Sequence, residues 1–258
     1  MNLTLTRAMV GAEILKLRRS RGTMAFAIVL TIGVVVVLFG WTALQHSSDP
    51  ANHPVAGGVH GFSRGVKALG LYFGMLAAIL VGAEAGTIDL ANGVFRNLVV
   101  TGRSRLALFG VRVPAAIIVT LALIGVAYAV ALVGTFTLAG SSPTPSLGLV
   151  LRGAGWIALC GAILATLATG LGSLTGSRAV TITALIGWQA VLTNLLLHTD
   201  SLGSARDGLL SAGLNQIIPV TADGPNLSMS VGLVIVVLTA WTAVPVLLGA
   251  WRTRTRDA

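Results

Sequence analysis

The chain has 258 residues, of which 55% are hydrophobic and only 10% charged, and its mean hydropathy is +0.89. A soluble domain carries about a quarter charged residues, so this sequence lacks the polar groups to cover a water-facing surface. Its net charge of +9 does not indicate nucleic acid, because the basic residues flank oily segments instead of gathering on one face, a distribution that sets membrane topology.

Residues 1–21 come first. At 100° per residue Leu3, Val10, Ile14 and Leu17 share a face, Arg18 and Arg19 fall elsewhere, and Glu13 stands three residues before Lys16. The pattern predicts an amphipathic helix at the membrane surface that leads into the first span. A plain basic topology anchor is compatible with the same residues. The apolar run from Met24 to Trp41 is too long for a signal-peptide core and no A-x-A site follows, so it is expected to remain as a span.

Six apolar segments are long enough to cross a bilayer as helices: 22–43, 66–84, 107–139, 150–174, 179–198 and 228–250. They are continuous, not alternating, which disfavours strands. Between the first two, His46, His53 and His60 are spaced by seven beside Asp49, and an unbroken helix would let them share a metal. Pro50, Pro54 and the Gly57–Gly58 pair break any such helix, so a solvated loop is expected and no metal.

Glu84 is expected to end the second span. Ile88, Asp89, Leu90, Phe95, Leu98 and Val99 then form a mixed helical pattern, and Thr101 to Arg105 a polar turn. A short amphipathic helix parallel to the membrane fits, with acids near its start and arginines near its end. Span four, which also holds the lone Cys160, carries Thr166, Thr169 and Ser173 in one stripe, and span five carries Trp188, Gln189, Thr193 and Asn194. Such groups hydrogen-bond between helices or line a path for an amphipathic solute. Gly70/Gly74, Gly82/Gly86 and Gly172/Gly176 are small-xxx-small pairs. In the segment 199–226, Leu209, Leu210, Leu214, Ile217 and Ile218 predict a short helix that re-enters the outer leaflet or covers a cavity, and a loose outer loop is the other reading.

Arg7, Lys16, Arg18, Arg19, Arg21, Arg96, Arg103, Arg105, Arg112, Arg178, Arg252, Arg254 and Arg256 fall on one side of six crossings. Only Arg64, Lys67, Arg152 and Arg206 fall on the other, which completes the 17 Lys and Arg. The bias puts both termini in the cytoplasm. Catalytic motifs are missing: no GxxxxGK[ST] loop, no HExxH helix and no GxSxG. The lone cysteine gives no disulfide framework, and acids that would mark an ion path are not expected at mid-span.

Two motifs together carry a resemblance. Glu84-x-Gly86-Thr87, then Thr101-Gly102-Arg103-Ser104-Arg105, then Arg112, resembles the signature of the type-2 permease subunits of ATP-binding-cassette (ABC) exporters, with Thr101 or Gly102 where the pattern has Pro. Glu13, Lys16, Leu17, Arg18 and Arg19 are similar to the family's N-terminal helix. The likeness extends over essentially the whole chain in size, span number and topology. It implies an all-α membrane protein with six transmembrane helices: a single permease domain over 1–258, with an interfacial helix at 1–21, a cytoplasmic coupling loop at 84–105 and an outer re-entrant or gate segment at 199–226.

The resemblance further implies a transport subunit and not an enzyme, in the cytoplasmic (inner) membrane of a bacterium, paired with a second permease copy or paralogue and contacting membrane lipid. Two ABC ATPase subunits would bind from the cytoplasm and hold the ATP and Mg, so this chain would bind no cofactor and no metal. Glu13, Lys16, Glu84, Thr87, Asp89, Arg96, Arg103 and Arg105 would couple to the ATPase, and Tyr72, Phe73, Trp188, Gln189, Thr193 and Asn194 would line the substrate path. The cargo expected is a hydrophobic or amphipathic compound, a drug or antibiotic ahead of a lipid or glycoconjugate. A stand-alone secondary transporter, a membrane-embedded enzyme and a non-transporting anchor are the competing classes. The first needs buried acids or paired broken helices, and the second needs a catalytic motif.

Overall fold

The computed structural model describes residues 3–93, 102, 104–221 and 229–255. The described residues are helical wherever they are regular, with no strand among them. α1 spans Leu3–Arg19. Six helices long and apolar enough to cross a membrane follow: α2 (Arg21–Ser48), α3 (Gly58–Ala91), α4 (Arg105–Thr137), α5 (Leu147–Thr175), α6 (Arg178–Leu197) and, last in the chain, α8 (Val231–Thr255). This is the make-up of a multi-pass membrane protein. Between α6 and α8 lie a kinked 3₁₀ stretch (Asp200–Gly208) and the short α7 (Leu210–Gln216).

α5 stands at the centre, packed against α3, α4 and α8. The most apolar stretches of α3 and α5 are each 72% buried inside the chain, against 17% for α8, so α3 and α5 form the core and α8 turns most of its surface outward. The α3–α5 crossing is close because it is made of small residues. A Cβ on Gly82 would stand 2.4 Å from the Ala165 carbonyl oxygen, and one on Gly86 would stand 2.6 Å from that of Thr169. Ser173 Oγ adds an interhelical bond to the Gly86 carbonyl at 3.2 Å. Capping is conventional: Ser104, Ser146 and Ser177 accept from backbone N–H groups at the starts of α4, α5 and α6, and Gly176 closes α5 at φ 71°.

The second span differs most from its predicted bounds. Gly57 and Gly58 do not interrupt α3 but begin it. Their N-terminal approach is fixed by hydrogen bonds from Gly57 N–H to the Leu138 carbonyl and from Val59 N–H to that of Pro143, both at 2.9 Å. His60 is therefore helical, while His46 Nδ1 meets the His53 carbonyl at 2.7 Å. No group of metal-ligating side chains forms among the described residues. At the other end α3 runs past Glu84 to Ala91, so Glu84 and Asp89 are inside the helix and not at or beyond its end. The short helix expected after Asp89 falls largely on 94–101, which with Arg103 lies outside the described residues.

Candidate functional site

The first site is a charged cluster where α1 and the starts of α2, α4 and α6 meet the end of α3. Asp89 is 1% exposed. One of its carboxylate oxygens takes Lys16 Nζ at 2.7 Å, and the other takes an Arg112 guanidinium nitrogen at 2.8 Å, itself 1% exposed. Lys16 also pairs with Glu13 at 2.5 Å. One α3 turn earlier, Glu84 accepts from Ser20 Oγ at 2.6 Å, from Thr23 Oγ1 at 3.2 Å and from Arg178 at 2.8 Å. Three carboxylates thus face three cations, which keeps the buried charge balanced. Isolated, any of these ions would cost several kcal/mol to bury.

Local sequence explains the placement. Glu13, Lys16 and Ser20 recur at three and four residues, so they share the inward face of α1 and its exit, with Leu17 buried beside them. Glu84 and Asp89 project from the last two turns of α3. Burial pushes the Glu13 carboxyl above its ordinary value of 4.5, with Lys16 pulling it down and the Asp89 charge raising it further. A cleft of about 620 Å³ opens beside the cluster, lined by buried Thr87 and by the more exposed Lys16, Arg19 and Arg178. Such an arrangement can hold helices together, release them, or receive a charged surface.

The predicted coupling residues therefore divide. Glu13, Glu84, Thr87 and Asp89 are buried and bonded within the chain, so they are not an exposed handle. The Thr87 hydroxyl turns back to the Ala83 carbonyl at 2.7 Å. Lys16 keeps about a third of its side chain exposed, and Arg105 donates to the Arg254 carbonyl at 3.2 Å, joining the start of α4 to the end of α8. Arg96 and Arg103 lie outside the described residues. Arg112, Arg178, Ser20 and Thr23 were not among the expected site residues. Arg112 could have been found, because a charge a full two turns inside an apolar span needs a buried partner.

The second site is a groove of about 460 Å³ between α3 and α6 that brings together Tyr72, Phe73, Gln189 and Asn194 with Leu76. Both helices loosen here into a wider π-type turn, Ala68–Tyr72 in α3 and Gly187–Leu192 in α6. Tyr72 sits at the junction with φ −116° and ψ −92°, off the helical values, so α3 bends there. Thr193 and Trp188, expected on the same path, point elsewhere. Thr193 Oγ1 donates to the Trp188 carbonyl at 2.9 Å, and the Trp188 ring leans on Trp241 of α8 with centroids 5.8 Å apart.

Gln189 also reaches out of the groove, donating to Ser211 Oγ of α7 at 2.6 Å. Trp156 Nε1 donates to the Leu214 carbonyl at 3.0 Å, and Trp241 Nε1 to the Gly208 carbonyl at 2.9 Å. Three helices thus pin the 200–216 segment, whose Leu210 and Leu214 are buried, while the following Ile217 stays partly exposed. No protein-family model matches this chain, and no curated protein sequence matches it.

Proposed function

We propose that the chain is the transmembrane permease subunit of an ABC exporter, moving a hydrophobic or amphipathic compound, a drug or antibiotic ahead of a lipid, out across the cytoplasmic membrane. The observation that carries this reading is the charged cluster. It ties α1 and the end of α3 into one body beside the segment whose sequence resembles a coupling loop, and Lys16 and Arg19 of that body face an open cleft. Force from a cytoplasmic ATPase applied there would travel up α3. The groove at Tyr72 stands twelve residues along the same helix from Glu84, about 18 Å away. Its apolar lining with two amides suits an uncharged or amphipathic solute. The π-type turns give α3 and α6 a place to change pitch as access alternates. α1 then lies at the cytoplasmic interface, and 200–216 is an outer cap on the path.

The test is isolation of the chain in mild detergent from its native membrane, with mass spectrometry of what accompanies it. An ATPase of the ABC class at about one copy per permease, with hydrolysis stimulated by amphipathic compounds, is the expected result. A chain that purifies alone, or an ATPase indifferent to such compounds and responsive to an ion, would overturn it.

A further inference from the structure

α5 carries a stripe that neither the charged cluster nor the α3–α6 groove uses. Arg152, Gly155, Leu159 and Ile163 follow at three, four and four residues, which puts them on one helix face. Arg152, Gly155 and Trp156 line a cleft of about 430 Å³ with Gln216 and Ile217 of the 200–219 segment. Leu159 and Ile163 line a second, of about 490 Å³, against Leu238 and Val246 of α8. Leu159 lines both, so the two clefts adjoin as a channel along one face of α5, walled by residues 216–219 at one end and by α8 at the other.

The channel has a polar head and an apolar tail. Arg152 is exposed and spends only Nε on protein, donating to the Gly148 carbonyl at 3.3 Å, and its two terminal nitrogens meet no acceptor among the described residues. Two other basic residues of the same end are engaged: Arg64 donates to the Ala56 carbonyl, and Arg206 to Asp200 and the Leu197 carbonyl. Among the described residues no carboxylate lines either cleft. From Arg152 to Ile163 the helix rises about 16 Å, close to the half-thickness, about 15 Å, of a bilayer's hydrocarbon core.

We infer that this channel binds one anionic phospholipid of the outer leaflet, its phosphate on Arg152 beside Gln216 and one acyl chain laid along Gly155, Leu159 and Ile163 against α8. A guanidinium with both terminal nitrogens open matches a phosphate oxygen pair, and the bare Gly155 leaves the chain its entry, since a Cβ there would meet nothing within 4 Å. The inference requires that α5 cross the bilayer with Arg152 toward the outer leaflet, and it is independent of any ATPase.

The experiment is native mass spectrometry of the delipidated full chain in detergent, titrated with phosphatidylglycerol, with diacylglycerol of the same chains and with glycerol phosphate. One phosphatidylglycerol per chain is expected, with the neutral lipid and the chainless phosphate each weaker by about tenfold or more. Arg152→Gln should weaken phosphatidylglycerol by about tenfold. Gly155→Leu, whose Cβ would meet nothing within 4 Å, should abolish its uptake with an unchanged melting curve. Equal uptake of diacylglycerol, or no effect of Arg152→Gln, would remove the headgroup site. Loss of self-association in Gly155→Leu with lipid uptake intact would make the channel a contact for a second copy and overturn the inference.

Discussion

The two ends of the helical bundle are held by different chemistry. At the end where α3 finishes, the fastenings are ions: Asp89 between Lys16 and Arg112, and Glu84 between Arg178 and two hydroxyls. At the other end neutral donors on carbonyl or hydroxyl oxygens predominate, Trp156 on Leu214, Trp241 on Gly208, Gln189 on Ser211 and Tyr128 on Val150 at 2.7 Å, and the arginines Arg64 and Arg206 there also donate to carbonyls. Neutral bonds in an apolar setting hold one geometry regardless of pH or salt. Buried ion pairs are sensitive to both the loss of a partner and the arrival of a competing charge. An end built of exchangeable charge suits a place where a partner's charges alter helix positions, and an end built of indole–carbonyl bonds suits a fixed cap.

The largest effect expected from this contrast is at Arg112. Arg112→Met leaves Asp89 buried with Lys16 alone and should destabilise the chain by about 3–5 kcal/mol, read as a lower melting temperature in detergent. Asp89→Asn combined with Arg112→Met should recover most of that loss, because the uncompensated charge is then gone. If the double variant melts no higher than the single one, the cluster's value is not electrostatic.

At the opposite end, Trp156→Phe removes one N–H from a buried carbonyl and trims the indole to a phenyl ring. A cost of about 1–3 kcal/mol is expected, the same at pH 5 and pH 8, and limited proteolysis should speed within 200–216. A pH-dependent cost would erase the distinction between the two ends.

How far the sequence foretold this contrast differs between the ends for a physical reason. Spans three to six are legible in the sequence to within a few residues, because hydropathy acts locally. The second span was shortened at both ends, since a hydropathy reading stops at charge. His60, Arg64 and Lys67 at one end and Glu84 and Asp89 at the other look like boundaries, yet Phe62, Val66 and Leu69 continue the buried face. The partner of Asp89 is 23 residues away on α4 and 73 away on α1, distances at which no periodicity speaks. Four of the six expected path residues do line one groove. The π-type turns that shape the groove leave no mark in composition, and they rotate Trp188 and Thr193 away from it.

Glu13 sharpens the comparison through pH. Its folded-state carboxyl is raised above 4.5, so between that value and the raised one the folded chain holds more protons than the unfolded one. Stability from this group therefore falls as pH rises through the window. Glu13→Gln, which stays neutral, should gain on the wild type from pH 4.5 upward, measured as the difference in melting temperature across pH. A difference that stays flat would mean Lys16 already holds Glu13 as an ordinary ion pair.

The smallest effect should come from an exposed ion pair of the opposite end, Asp200 with Arg206 at 3.0 Å. The Asp200 side chain is 96% exposed, and Arg206 keeps the Leu197 and Gly203 carbonyls without it. Water and salt screen such a pair almost fully. Asp200→Asn should leave the melting temperature unchanged at low and at high ionic strength, whereas Arg178→Gln, which releases Glu84 into a partly closed cleft, should lower it at both. A clear loss for Asp200→Asn that disappears in salt would show that the cap too is fastened by charge, and the division of the bundle into an ionic end and a neutral end would fail.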